Sequence, residues 1–63
     1  MKYYNLRCKF EGQKRFALVD WSTGKQVALK FYATMFTEKD KKLVETVDIP
    51  SNPNIEFKWS EIS

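Results

Sequence analysis

Chemistry that depends on a titratable nucleophile or base has little to work with in this chain. Cys8 is the only cysteine, and there is no histidine. A thiolate nucleophile needs a base beside it, and imidazole, the usual one, is missing. The same gap removes zinc sites built from Cys and His. Cys8 also shares an alternating face with Leu6 and Phe10, where it reads as a small core residue. The carboxylates (Glu11, Asp20, Glu38, Asp40, Glu45, Asp48, Glu56 and Glu61) are scattered, and no spacing marks two of them as an acid–base pair. Gly12 and Gly24 belong to neither a dinucleotide-binding nor a P-loop pattern. The expectation is a protein that is not an enzyme and holds no cofactor or metal.

Binding chemistry has more to draw on. If Tyr4, Leu6, Cys8 and Phe10 face a core, then Tyr3, Asn5, Arg7 and Lys9 face the other way. Lys30 and Tyr32 from a third strand and Lys58 from a fourth could join them. Aromatic rings interleaved with cations on an open sheet suit single-stranded nucleic acid, since rings stack on bases and cations neutralise phosphates. Glu11 and Glu56 on the same face, and a net charge of only +3, also fit an ordinary solvated surface. Trp21, just before a turn, is a candidate interface anchor. Trp59 alternates with Phe57 and is expected in the core. Lys39 lies about 200° around a helix from Lys41, and acids intervene, so Lys39, Lys41 and Lys42 read as a solvated face with local ion pairs.

Four strands and a helix must position these groups. Period-two alternation marks a strand over residues 2–11, and "EGQK" (Glu11 to Lys14) supplies a hairpin turn. Residues 15–21 are apolar on both faces for most of their length, as in a central strand. "DWSTGK" turns the chain again, and residues 26–34 alternate as a third strand with Phe31 inward. Thr37 caps a helix, with Glu38 and Asp40 at the positive end of its dipole. Asp40 stands where a capping box prefers Glu, so that motif is expected only in part. Leu43, Val44 and Val47, with Phe36, form its apolar stripe. Pro50 and Pro53 end the helix by about residue 48. Ile55, Phe57 and Trp59 alternate in a last strand, which pairs either beside the first strand or beyond the third. The expected fold is α+β: a small antiparallel β-meander, one helix on one face and a returning strand, in the order β-β-β-α-β.

With 63 residues the chain is one domain, residues 1–63. A core this small has about 3–5 kcal/mol to offer unaided, which favours a partner subunit, although ten aromatic residues can fill a core well. The lone cysteine suits a reducing compartment. Met1 to Arg7 lacks the apolar run of a secretion signal and no segment has transmembrane length, so the expected location is the cytoplasm, with no membrane partner. The run "FALVDWSTGKQV…FYATMFTEKDKK" resembles short reading frames of phages and mobile elements in Gram-positive bacteria. It is also similar, over residues 14–45, to the small three-stranded arm-binding domains of tyrosine integrases. The second likeness implies duplex-DNA binding through the sheet, but this chain adds a leading and a closing strand and puts acid at the helix start. The first implies a small protein that modulates a host protein. The leading expectation is a non-catalytic binding module that engages a protein or a second copy of itself; the alternative is nucleic-acid binding by the basic, aromatic sheet face.

Overall fold

The computed structural model describes residues 2–62. Its strands are β1 (Tyr3–Lys9), β2 (Ala17–Asp20), β3 (Lys25–Val27), β4 (Phe36–Thr37) and β5 (Glu56–Glu61), with one helix, α1 (Glu38–Leu43). Among the described residues they form one antiparallel sheet of five strands, and the α+β order expected from the sequence is present. The short β4, directly ahead of the helix, is an addition to it.

β1 is the axis of the sheet. β5 pairs with it from Tyr4↔Glu61 to Lys9↔Glu56, which settles where the returning strand docks. The opposite edge of β1 is divided. β2 takes its C-terminal part, through Arg7↔Leu18 and Cys8↔Ala17, and β4 takes its N-terminal part, through Tyr3↔Thr37 and Tyr4↔Phe36. The gap between them falls at Asn5 and Leu6. Thr34 spans this gap, tying the β2 segment to the Asn5 side chain on β1. Its N–H donates to the Val19 carbonyl at 3.1 Å, its hydroxyl accepts from the Trp21 N–H at 2.7 Å, and its carbonyl accepts from Asn5 Nδ2 at 3.0 Å. Asn5, only 2% exposed, is thereby buried with its amide satisfied.

β3 stops at Val27, well short of the strand expected over residues 26–34. Its partner runs out: β2 begins at Ala17, and Leu18↔Val27 is already the last pair. Beyond it the chain leaves the sheet and makes a 3₁₀ turn over Lys30–Tyr32, closed by Tyr32 N–H to Leu29 O and Ala33 N–H to Lys30 O, both 3.1 Å. Phe31, read as inward, is 88% exposed, and Met35 is exposed as well. Period-two alternation describes side chains accurately only where a ladder holds the backbone extended, and none does so here.

The helix starts at Thr37, as expected, and its capping box is complete. Asp40 N–H donates to Thr37 Oγ1 and Thr37 N–H donates to Asp40 Oδ2, each at 3.2 Å. Asp40 is long enough after all to reach back. After Leu43 the coil widens into a π turn over Val44–Asp48, with Ile49 N–H donating to Val44 O at 2.9 Å. That widening puts Val44 and Ile49, five residues apart, both against the core. Leu43 and Val47, expected on the apolar stripe, are turned out to solvent. Thr46 Oγ1, Ser51 Oγ and Asn52 Nδ2 donate to the carbonyls of Lys42, Val47 and Asp48, serving backbone acceptors that the turn and Pro50 leave open.

The core lies between α1 and the face of β1 that carries Tyr4 and Leu6, with Phe36 and Val44 buried beside them. Rings meet edge to face in a chain: Tyr4–Trp59 at 6.2 Å, Trp59–Phe36 at 5.3 Å and Phe36–Trp21 at 5.7 Å. Such contacts contribute about 0.5–1.5 kcal/mol each beyond burial. This aromatic chain supplies what disulfide and metal do not. Replacing the buried amide in Asn5→Ala leaves the Thr34 carbonyl without its donor. The variant is expected to lose about 1–3 kcal/mol of unfolding free energy in a urea titration, whereas an unchanged midpoint would show that the contact carries no weight.

Candidate binding surfaces

The two faces of β1 are chemically unlike. Direct pairing across strands puts partners on one face, so Arg7, Leu18 and Lys58 share the side away from the helix, as do Lys9 and Glu56. Continuing the hairpin register by one step places Phe16 there too, opposite Lys9. The side chains agree: the ammonium groups of Lys9 and Lys58 lie 5.3 and 6.0 Å from the Phe16 ring centroid. Of the six residues proposed for a nucleic-acid face, Tyr3, Arg7, Lys9 and Lys58 therefore do share it. Tyr3 sits at the far end of β1, half-buried and paired with Thr37. Lys30 and Tyr32 are not on any strand; they ride the 3₁₀ turn, both exposed. Phe16 escaped the sequence reading, although folding the chain back on itself about Gly12 and Gln13 puts it across from Lys9.

Charge on this face is uneven. Lys9 is held by Glu56 at 2.9 Å, while Arg7 and Lys58 stand directly opposite one another with no ion pair among the described residues. The cations of the helix behave differently from the expectation of local ion pairs. Lys41 is half-buried, with its ammonium 4.8 Å from the Tyr4 ring centroid and 5.8 Å from that of Trp59. It roofs the aromatic core and belongs to the fold.

A second surface gathers around the 3₁₀ turn. Leu29, Phe31, Tyr32 and Met35 are all exposed, and the Phe31 and Tyr32 rings pack edge to face at 5.4 Å. Between them Ala33 is buried and Thr34 is pinned as described, so the turn is displayed from a fixed base. Next to that base a groove of about 190 Å³ is lined by Trp21, Phe36, Leu43 and Val44, with Asp40 and Asp48 also on its walls. Trp21, the proposed anchor, is half-buried as one wall of this groove and does not project as a knob. A further apolar hollow of about 170 Å³ lies on its other side, with Cys8, Val19 and Phe57 among its lining.

Cys8 itself is buried, and its sulfur is 3.6 Å from Gln26 Nε2, which also donates to the Cys8 carbonyl at 2.9 Å. Burial pushes the thiol up from its ordinary value, against a smaller opposing pull from the Gln26 amide. An amide is no general base, so this geometry does not activate the sulfur. Among the described residues no three His, Cys, Asp or Glu side chains gather as a metal site, and no helix is long and apolar enough to cross a membrane. At mildly alkaline pH a disulfide reagent is expected to label Cys8 far more slowly in the folded protein than in denaturant. Equal rates would contradict its burial and raised thiol.

No family model, curated protein or solved structure matches the chain.

Proposed function

We propose that this protein is a non-catalytic, cytoplasmic interaction module that pairs with a second copy of itself through the turn at residues 29–35. The observation that carries this reading is Phe31, an aromatic ring almost wholly in water on a turn fixed at its base by Asn5 and Thr34. Large apolar groups clustered in solvent are unfavourable for a lone monomer and typical of an association surface.

The groove beside the turn fits that ring. At about 190 Å³ it exceeds the roughly 150 Å³ cavity that accommodates a benzene ring. Its carboxylates, Asp40 and Asp48, complement Lys30, the neighbour of Phe31. Because turn and groove meet at Thr34, each copy can place its Phe31 in the groove of the other. That reciprocal, two-fold arrangement closes as a dimer. It also meets the need of a small core for more buried surface. The buried, free Cys8 supports a reducing cytoplasmic setting.

Light scattering over a range of concentrations tests the reading. The wild type is expected to move from monomer towards dimer as concentration rises, with Tm rising in step because association stabilises the folded form. Phe31→Ser is expected to stay monomeric, with the dilute wild type's Tm, since the side chain contributes little to the monomer's own core. A wild type that stays monomeric at the highest soluble concentration overturns self-association.

A further inference from the structure

We infer that the sheet face away from the helix carries a separate site for single-stranded nucleic acid, centred on Arg7, Lys58 and Phe16. Three observations converge on it. First, Arg7 and Lys58 are direct cross-strand partners, and like charges so placed repel one another. Of the carboxylates on the face, Glu56 is engaged by Lys9 at 2.9 Å and Asp20 accepts from Ser22 at 2.7 Å, and neither forms an ion pair with them. A phosphate between guanidinium and ammonium relieves that repulsion, and the planar guanidinium matches phosphate geometry.

Second, the chain's whole excess charge collects here. This face and its adjoining hairpin carry Arg7, Lys9, Lys14, Arg15, Lys25 and Lys58 against Glu11, Asp20 and Glu56, six cations and three anions. The remaining five cations and five anions of the chain cancel, so the net +3 is local. A field confined to one end steers a polyanion to that end.

Third, Phe16 places an aromatic ring among the cations, half-exposed and within 5.3 Å of Lys9 Nζ. The Lys9 and Lys58 ammonium groups lie over this ring, and a base that takes their place can stack on it while they pair with its phosphates. The helix, whose first turn holds Glu38 and Asp40, packs on the opposite face and takes no part in this surface. An unstacked strand laid on the face is the ligand that the geometry fits. This site shares no side chain with the turn and groove of the proposed dimer, so either can fail alone.

The test is fluorescence anisotropy with a labelled oligothymidine of about ten nucleotides, alongside a duplex of equal length and polyglutamate as competitor. Binding is expected to weaken with salt at a log–log slope of about −2 to −3, from three to four phosphates neutralised at roughly 0.7 each. Lys58→Glu gives Arg7 an opposite charge across the strand, so it is expected to raise Tm while weakening binding about tenfold or more, the loss of one charged contact. Phe16→Leu is expected to weaken binding with a smaller change in salt slope, and Phe31→Ser to leave it unchanged. No binding at low salt, an unaltered affinity in Lys58→Glu, or displacement by polyglutamate as readily as by oligothymidine overturns the site. Tighter binding to the duplex overturns its assignment to single strands.

Discussion

The structure turns on three hydrogen bonds at Thr34. A strand has two edges, and on β1 one is filled by β5 while the other is shared by β2 and β4 with a gap between them. Thr34 spans that gap: its N–H and hydroxyl bond to the backbone of Val19 and Trp21, and its carbonyl to the side chain of Asn5. Each bond adds only about 0.5–1.5 kcal/mol net, but leaving the buried Asn5 amide unmet would cost about 1–3 kcal/mol. The consequences run along the chain in both directions. Downstream, Thr34 delivers β4 to the edge of β1, which seats Phe36 in the core and fixes the start of α1 at Thr37. Upstream, it anchors the turn that carries Phe31 outward.

Much of this architecture was legible from side-chain period. The first and last strands announce themselves because β1 and β5 pair along almost their full length, so alternation and burial coincide at Leu6, Cys8, Phe57 and Trp59. The start of α1 was legible because a cap is local chemistry: Thr37 and Asp40 are three residues apart and need no tertiary partner. Residues 28–33 were not legible. Their alternation resembles that of a strand, but whether a strand forms depends on a neighbour, and β2 is too short to provide one. The outward turn of Val47 was hidden for a related reason, since a π turn shifts the facing of every residue after it and leaves no mark in a 3.6-residue pattern.

The candidate surfaces divide the same way. Tyr3, Arg7, Lys9 and Lys58 could be grouped from sequence because they lie on the two best-defined strands. Lys30 and Tyr32 were grouped with them only by extending β3 too far, and the structure moves them to a different surface. Phe16 required the hairpin register, and Lys41 required knowing that α1 lies over Tyr4 and Trp59. A 63-residue chain thus presents an apolar turn beside an acidic groove and, separately, a basic aromatic face, both referred to one central strand.

Hydrogen exchange at the Thr34 amide tests the central claim most directly, because protection reports whether a bond opens only with the whole fold or on its own. If Thr34 ties the β2 segment to Asn5 across the divided edge of β1, its amide is expected to exchange as slowly as those of Leu6 and Val19, while exposed amides around Phe31 exchange quickly. A Thr34 amide that exchanges at the rate of the surrounding turn would contradict the account, and with it the fixed display of Phe31.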